Sequence, residues 1–157
     1  VILTNTDANS LYDALRYQIM EAYFDMPYRN LSALYYSFTK PASDAEWKQI
    51  NEYRAIVANK NPAEYPLEQY AGNYQSKVYG EILIKWNGEN LEVVFPHHPF
   101  MTAQLEPMGG NEFLCTYTDP IYGVKKVSFS ADQGRIEKLT LTVNDFVDLQ
   151  PYDFFRK

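Results

Sequence analysis

The sequence predicts an α+β chain: N-terminal helices followed by an antiparallel up-and-down β-barrel of about eight strands. Three observations carry that expectation. Before residue 61, apolar residues recur at three- and four-residue steps, as at Leu11, Leu15, Ile19 and Ala22. After Gly72 the period becomes two: Ile82, Ile84 and Trp86 fall on one face and Leu83 and Lys85 on the other, and Leu91, Val93 and Phe95 resume the alternation. Turn residues then interrupt the alternation at short intervals, at Asn87-Gly88, Gly109-Gly110-Asn111, Asp119-Pro120, Asp132-Gln133-Gly134 and Asn144-Asp145.

The elements follow in order. Residues 1–4 form a short β-prone run, and Asn5, Thr6 and Asp7 are candidate helix caps. The first helix carries Leu11, Leu15, Ile19, Ala22 and Tyr23 on one stripe and ends near Met26-Pro27. Residues 31–38 read as a second helix, stopped before Pro41. Ser43 and Asp44 cap a third over residues 45–59, with Trp47, Ile50, Arg54 and Val57 along one stripe. The Pro-bearing connector 61–66 marks a boundary between a helical segment, 1–61, and a barrel, 62–157. Strands are expected near 71–76, 80–86, 90–95, 101–106, 112–117, 123–130, 135–142 and 145–150. Tyr74 is followed by Tyr79-Gly80, and Tyr117 by Tyr122-Gly123 at the same spacing, so one hairpin geometry recurs along a meander. About eight strands close around a side-chain core or one small ligand.

Composition narrows the function. A net charge of −6, with no basic run, argues against a nucleic-acid partner. The single Cys115 excludes an internal disulfide and alternates with Phe113 and Tyr117, as a small buried residue would. No apolar run is long enough to span a membrane. The sequence begins on Val1, which leads us to expect a piece of a longer chain, so a missing targeting signal says nothing about location.

Few constellations carry chemistry. Ser37-Phe38-Thr39-Lys40 matches a Ser-x-x-Lys pattern, but it ends a helical run, abuts Pro41 and is followed by no Lys-Thr-Gly. It is read as coincidence, and no catalytic residue, metal site or cofactor is assigned. His97 and His98, bracketed by Pro96 and Pro99, would point to opposite sides of an extended segment, so they are not expected to share a metal. With Phe100 they make a stiffened loop suited to contact with a ligand or partner. Glu89, Glu92, Asp119, Asp132, Asp145 and Asp148 read as solvated carboxylates. Tyr70, Tyr74, Tyr79, Tyr117 and Tyr122, with Trp86, either pack the barrel or line a pocket.

The order of elements, the run Leu67-x-x-Tyr70-x-Gly72-x-Tyr74 with Tyr79-Gly80, and the later Phe129 and Gly134-Arg135-Ile136 resemble a known arrangement. They resemble the C-terminal region of bacterial serine beta-lactamase-related, or class C penicillin-binding-protein-like, hydrolases. There a lipocalin-like domain of uncharacterised function follows the catalytic domain. The resemblance implies that residues 1–30 correspond to the last strand and helix of the hydrolase domain and 31–61 to a helical connector. It places the catalytic Ser, Lys and Tyr upstream of residue 1, so none is carried onto this chain. It implies a non-catalytic accessory domain that packs on an upstream serine hydrolase domain of the same chain and shapes substrate access, in the periplasm or cell envelope. The alternative is an independent barrel that binds a small apolar ligand. If Val1, Ile2, Leu3 and the stripe of the first helix normally pack on a neighbouring domain, self-association through them is expected in its absence.

Overall fold

The computed structural model describes Ile2 and residues 10–157. The strand expected over residues 1–4 and the caps Asn5, Thr6 and Asp7 fall outside the described residues, apart from Ile2. The chain falls into two compact units, Val1–Gln49 and Ile50–Lys157.

Helix α1 (Leu11–Tyr23) follows the predicted stripe. Only Ala14 and Glu21 are buried in it, and Leu11, Leu15 and Ile19 are exposed. Glu21 is held by Arg29, which compensates its buried charge. Helix α2 (Leu31–Ala58) starts where Asn30 Oδ1 accepts the Ala33 N–H at 3.0 Å.

The second and third predicted helices are one helix, because Pro41 lies inside α2 instead of ending it. A proline removes one N–H and crowds the preceding turn. Hydroxyls serve the backbone just ahead of it: Ser37 Oγ donates to the Leu34 carbonyl at 2.7 Å and Thr39 Oγ1 to that of Tyr35 at 3.2 Å. Lys40 then bridges to Asp44 one turn on, at 2.5 Å.

The barrel is built from β1 (Gly72–Ser76), β2 (Gly80–Trp86), β3 (Leu91–Val94), β4 (Thr102–Gly109), β5 (Glu112–Tyr117), β6 (Val124–Asp132), β7 (Arg135–Leu141) and β8 (Tyr152–Arg156). Each strand pairs antiparallel with the next, and β8 closes on β1, giving the eight-stranded meander that the sequence predicts. The register sets Tyr74 opposite Ile82, Ile84 opposite Val93 and Leu105 opposite Cys115, so the period-two apolar set faces inward. The Asn87-Gly88 turn extends to Asn90: Asn87 Oδ1 accepts the N–H groups of Glu89 and Asn90, and Asn87 N–H meets the Asn90 carbonyl.

The eighth strand lies at 152–156, not at the predicted 145–150. Asn144 and Asp148 explain the difference. Their carboxamide and carboxylate accept the N–H groups of Phe146 and Gln150, folding the segment into turns. Pro151 lacks an N–H, so pairing begins after it.

The two ends of the barrel differ. One is plugged by the connector, which belongs to the barrel unit. Ala63 bridges to Gly110, Glu64 N–H donates to the Gly110 carbonyl, and Asn61 Nδ2 to that of Met108. Behind this, Tyr70 is fully buried against Phe113 and Phe129, with ring centroids 4.9 Å from each. Its hydroxyl accepts the Tyr65 N–H at 3.3 Å and donates to Asn111 Oδ1 at 2.6 Å. Arg156 locks the same end, donating to the carbonyls of Gln69 and Ala71 at 2.6 Å.

Tyr70→Phe keeps the ring and removes both hydroxyl contacts, leaving an amide hydrogen without its acceptor. The expected loss is about 1–3 kcal/mol in unfolding free energy. Urea denaturation followed by near-ultraviolet dichroism checks this; an unchanged midpoint would show that the plug is held by packing alone.

Candidate functional site

The opposite end is open. Four loops converge there: residues 77–79, 95–101, 118–123 and 142–151. Between them lies a cavity of about 190 Å³. Its floor is Tyr117, Leu141 and Phe154 from the strands, all buried. Phe95, Met101, Tyr122, Val143 and Val147 form the walls, and Tyr79, His97, His98 and Tyr152 reach the rim.

Local sequence builds each part. Tyr79 and Tyr122 each precede a glycine at positive φ, +74° at Gly80 and +75° at Gly123. That conformation suits glycine and turns the chain sharply into the next strand. The recurring Tyr-Gly pattern thus delivers two tyrosines to the same mouth. At residues 118–123, Asp119 Oδ1 accepts the Ile121 N–H and caps the short 3₁₀ turn Pro120–Tyr122.

The histidine loop is not extended. His98 N–H donates to the Phe95 carbonyl at 2.8 Å and Met101 N–H to the His98 carbonyl at 2.9 Å, so two turns follow each other. Both imidazoles therefore line one cavity, instead of pointing to opposite sides as an extended segment would require. The His97 ring lies over Gly80, with Nε2 3.3 Å from where a Cβ would stand. Among the described residues no three His, Cys, Asp or Glu side chains are grouped to hold a metal ion.

A carboxylate anchors the opposite rim. Asp148 Oδ2 accepts the hydroxyls of Tyr152 at 2.5 Å and Tyr79 at 3.2 Å, and these two rings meet edge to face at 4.5 Å. The Tyr152 hydroxyl, then the Gln150 N–H and the Tyr79 hydroxyl, hold the Asp148 carboxyl below its usual range. The same hydrogen bond to Asp148 raises the Tyr152 phenol.

At the floor, Tyr117 donates to the Thr142 carbonyl at 3.0 Å and stacks beside Phe95 at 6.0 Å. Burial raises its phenol, with neighbouring Cys115 adding to the effect. Burial also pushes the Cys115 thiol up to about 12, so it stays a thiol and is no nucleophile.

Of the residues singled out from sequence, Tyr79, His97, His98, Tyr117 and Tyr122 meet at this cavity. Tyr74 lies elsewhere: it is fully buried, its hydroxyl donates to the Tyr70 carbonyl at 2.8 Å, and its ring meets Phe129 at 6.1 Å. Trp86 is half-buried near the plugged end, with no hydrogen-bond partner for its indole N–H among the described residues. Phe100 projects from the loop tip, 97% exposed. Sequence reasoning did not name Val147 or Tyr152 and read Asp148 as a solvated carboxylate; a strand was expected over 145–150, where the rim loop runs. Ser37 and Lys40 are exposed, one bonded to its own helix and the other to Asp44, so neither activates the other.

Comparison with curated proteins gives no match. Among solved structures, the C-terminal domain of penicillin binding protein Rv0907 is similar to this chain, with 19% sequence identity and a TM-score of 0.47, covering 62% of this chain and 88% of that domain. Residues 57–156, the barrel with the connector that plugs it, match the family described as a domain of unknown function, DUF3471. The chain belongs to that family.

Proposed function

We propose that the chain is a non-catalytic accessory module of a serine hydrolase of the beta-lactamase-related kind, and that its barrel mouth helps to admit or restrict substrate. The asymmetry of the barrel carries this reading. One end is sealed by the connector; the other presents a small apolar cup under a proline-bracketed loop with two imidazoles. The choice of hydrolase rests on the sequence resemblance around Leu67, Tyr70, Gly72, Tyr74 and Tyr79-Gly80. In this reading the partner is the upstream hydrolase domain of the same chain, working outside the cytoplasm, and the exposed stripe Leu11, Leu15 and Ile19 is the surface assigned to that domain.

The chain by itself is expected to turn over neither nitrocefin nor p-nitrophenyl esters, and Ser37→Ala should change nothing. Turnover that vanishes in that variant would make the chain an enzyme. In the hydrolase that carries this module, His97→Ala with His98→Ala should leave barrel stability within about 0.5 kcal/mol, as for exposed positions. It should alter kcat/KM more for bulky substrates than for small ones. Equal kinetics at every substrate size would detach the mouth from catalysis. They would favour the second reading, a barrel that binds a small apolar ligand on its own account; the cavity is the observation behind that reading.

A further inference from the structure

We propose that the mouth cavity is a binding subsite for one aromatic ring or branched aliphatic group, carried on a neutral or cationic stem and not on an anionic one. The size comes first. At about 190 Å³ the cavity is a little larger than an engineered apolar cavity of about 150 Å³ that holds benzene. It has room for one ring and a few more atoms. The lining supplies the apolar part: the rings of Phe95, Tyr117 and Tyr122 with Leu141, Val143 and Phe154.

The charge preference follows from the rim. Among the described residues no Lys or Arg lines the cavity. Glu81 is there but is paired with Lys157 at 3.0 Å. Asp148 receives its hydrogen bonds from neutral donors, two tyrosine hydroxyls and backbone N–H, so its charge has no compensating cation in those contacts. Asp148 does not itself line the cavity but bonds the hydroxyls of Tyr79 and Tyr152, which do, so a ligand stem leaving between those rings meets a negative field. Near a protein surface, where screening is weaker than in bulk water, such a charge favours a cationic stem and disfavours an anionic one. The polar groups left for a neutral stem are the imidazoles of His97 and His98. Apolar walls with a few polar groups at one side are the usual build of a small-molecule site. The proposal stands whether or not the barrel serves a hydrolase, since it concerns this chain alone.

The test is a methyl-detected NMR titration of the chain with benzylamine, benzyl alcohol and benzoate. Saturable shifts of Leu141, Val143 and Val147 methyls are expected with the first two, and benzoate should bind at least about tenfold more weakly than benzylamine, a gap of about 1.4 kcal/mol. Asp148→Asn should bring benzylamine and benzoate together while benzyl alcohol keeps its affinity within about twofold. Val143→Phe fills the cavity and should abolish binding of all three; Val147→Phe, in the exposed loop, serves the same purpose if the first variant disturbs the fold. Absence of saturation with every probe, or binding that survives both filling variants, overturns the site. Benzoate binding as tightly as benzylamine in the unaltered chain overturns the charge assignment.

Discussion

Phe113→Ala will lower the unfolding free energy of the barrel by about 3–5 kcal/mol, the range for deleting a buried aromatic ring. Phe113 is fully buried and sits between Tyr70 and Phe129, with ring centroids 4.9 and 5.2 Å away. Those neighbours cannot close over the gap. Tyr70 is pinned by its hydroxyl to Asn111, and Phe129 is held by its backbone bond to the same loop, from Phe129 N–H to the Asn111 carbonyl at 2.9 Å. The void would therefore persist and the packing of both rings would be lost. Phe113→Leu, which keeps most of the volume, should cost far less. Urea denaturation monitored by near-ultraviolet dichroism reads both. A loss below about 1 kcal/mol for the alanine variant would mean that the plug relaxes inward and the aromatic cluster is not rigid.

The second large effect is alkaline. The barrel is expected to lose stability between about pH 9 and 12. Tyr74, whose phenol ordinarily titrates at 10.0, is pushed up to about 12 by burial, with Arg156 pulling partly the other way. Cys115 rises from 9.0 to about 12 by burial, and Tyr117 rises as well. Each folded-state value lies above the unfolded one. The stabilising effect is therefore complete below the unfolded value and is lost as pH rises towards the folded one, because the unfolded chain releases these protons first. Combining Tyr74→Phe with Cys115→Ala should shift the alkaline midpoint upward, although the pair lowers stability at neutral pH. Phenolate absorbance and dichroism, followed together, check the sign. Reversible ionisation of all fourteen tyrosines near pH 10 with dichroism intact would refute the argument.

The barrel was legible because its code is local. Ile82, Ile84, Leu91 and Val93 alternate as half-buried strands must, and glycines mark the turns. The errors arise where side chains compete for the backbone. Asn144 and Asp148 take amide hydrogens that a strand would have used, which moved β8 downstream and hid a rim residue. Pro41 was read as a stop, yet the helix runs through it. Which residues would line the cavity was legible only in part, for a related reason. Spacing brought Tyr79 and Tyr122 out as a pair, since both precede a glycine of the same geometry. It could not tell that Tyr74, two residues into the first strand, would be sealed by Tyr70 and Phe129 from below. Nor could it tell that two turns would bring both histidines to one side.

An even number of strands has a further effect on how this barrel can change over generations. β1 begins and β8 ends at the plugged end, where Arg156 ties them together through the Gln69 and Ala71 carbonyls. All four mouth loops are therefore internal hairpin connections, free of the chain's points of attachment. Doubling the length of such a loop costs only about 0.6 kcal/mol in closure entropy. Insertions and substitutions there can redraw what the mouth accepts, while the anchorage and the aromatic plug stay as they are. Diversity among barrels of this kind is accordingly expected to collect at residues 77–79, 95–101, 118–123 and 142–151, and to spare the Tyr70, Asn111 and Arg156 contacts.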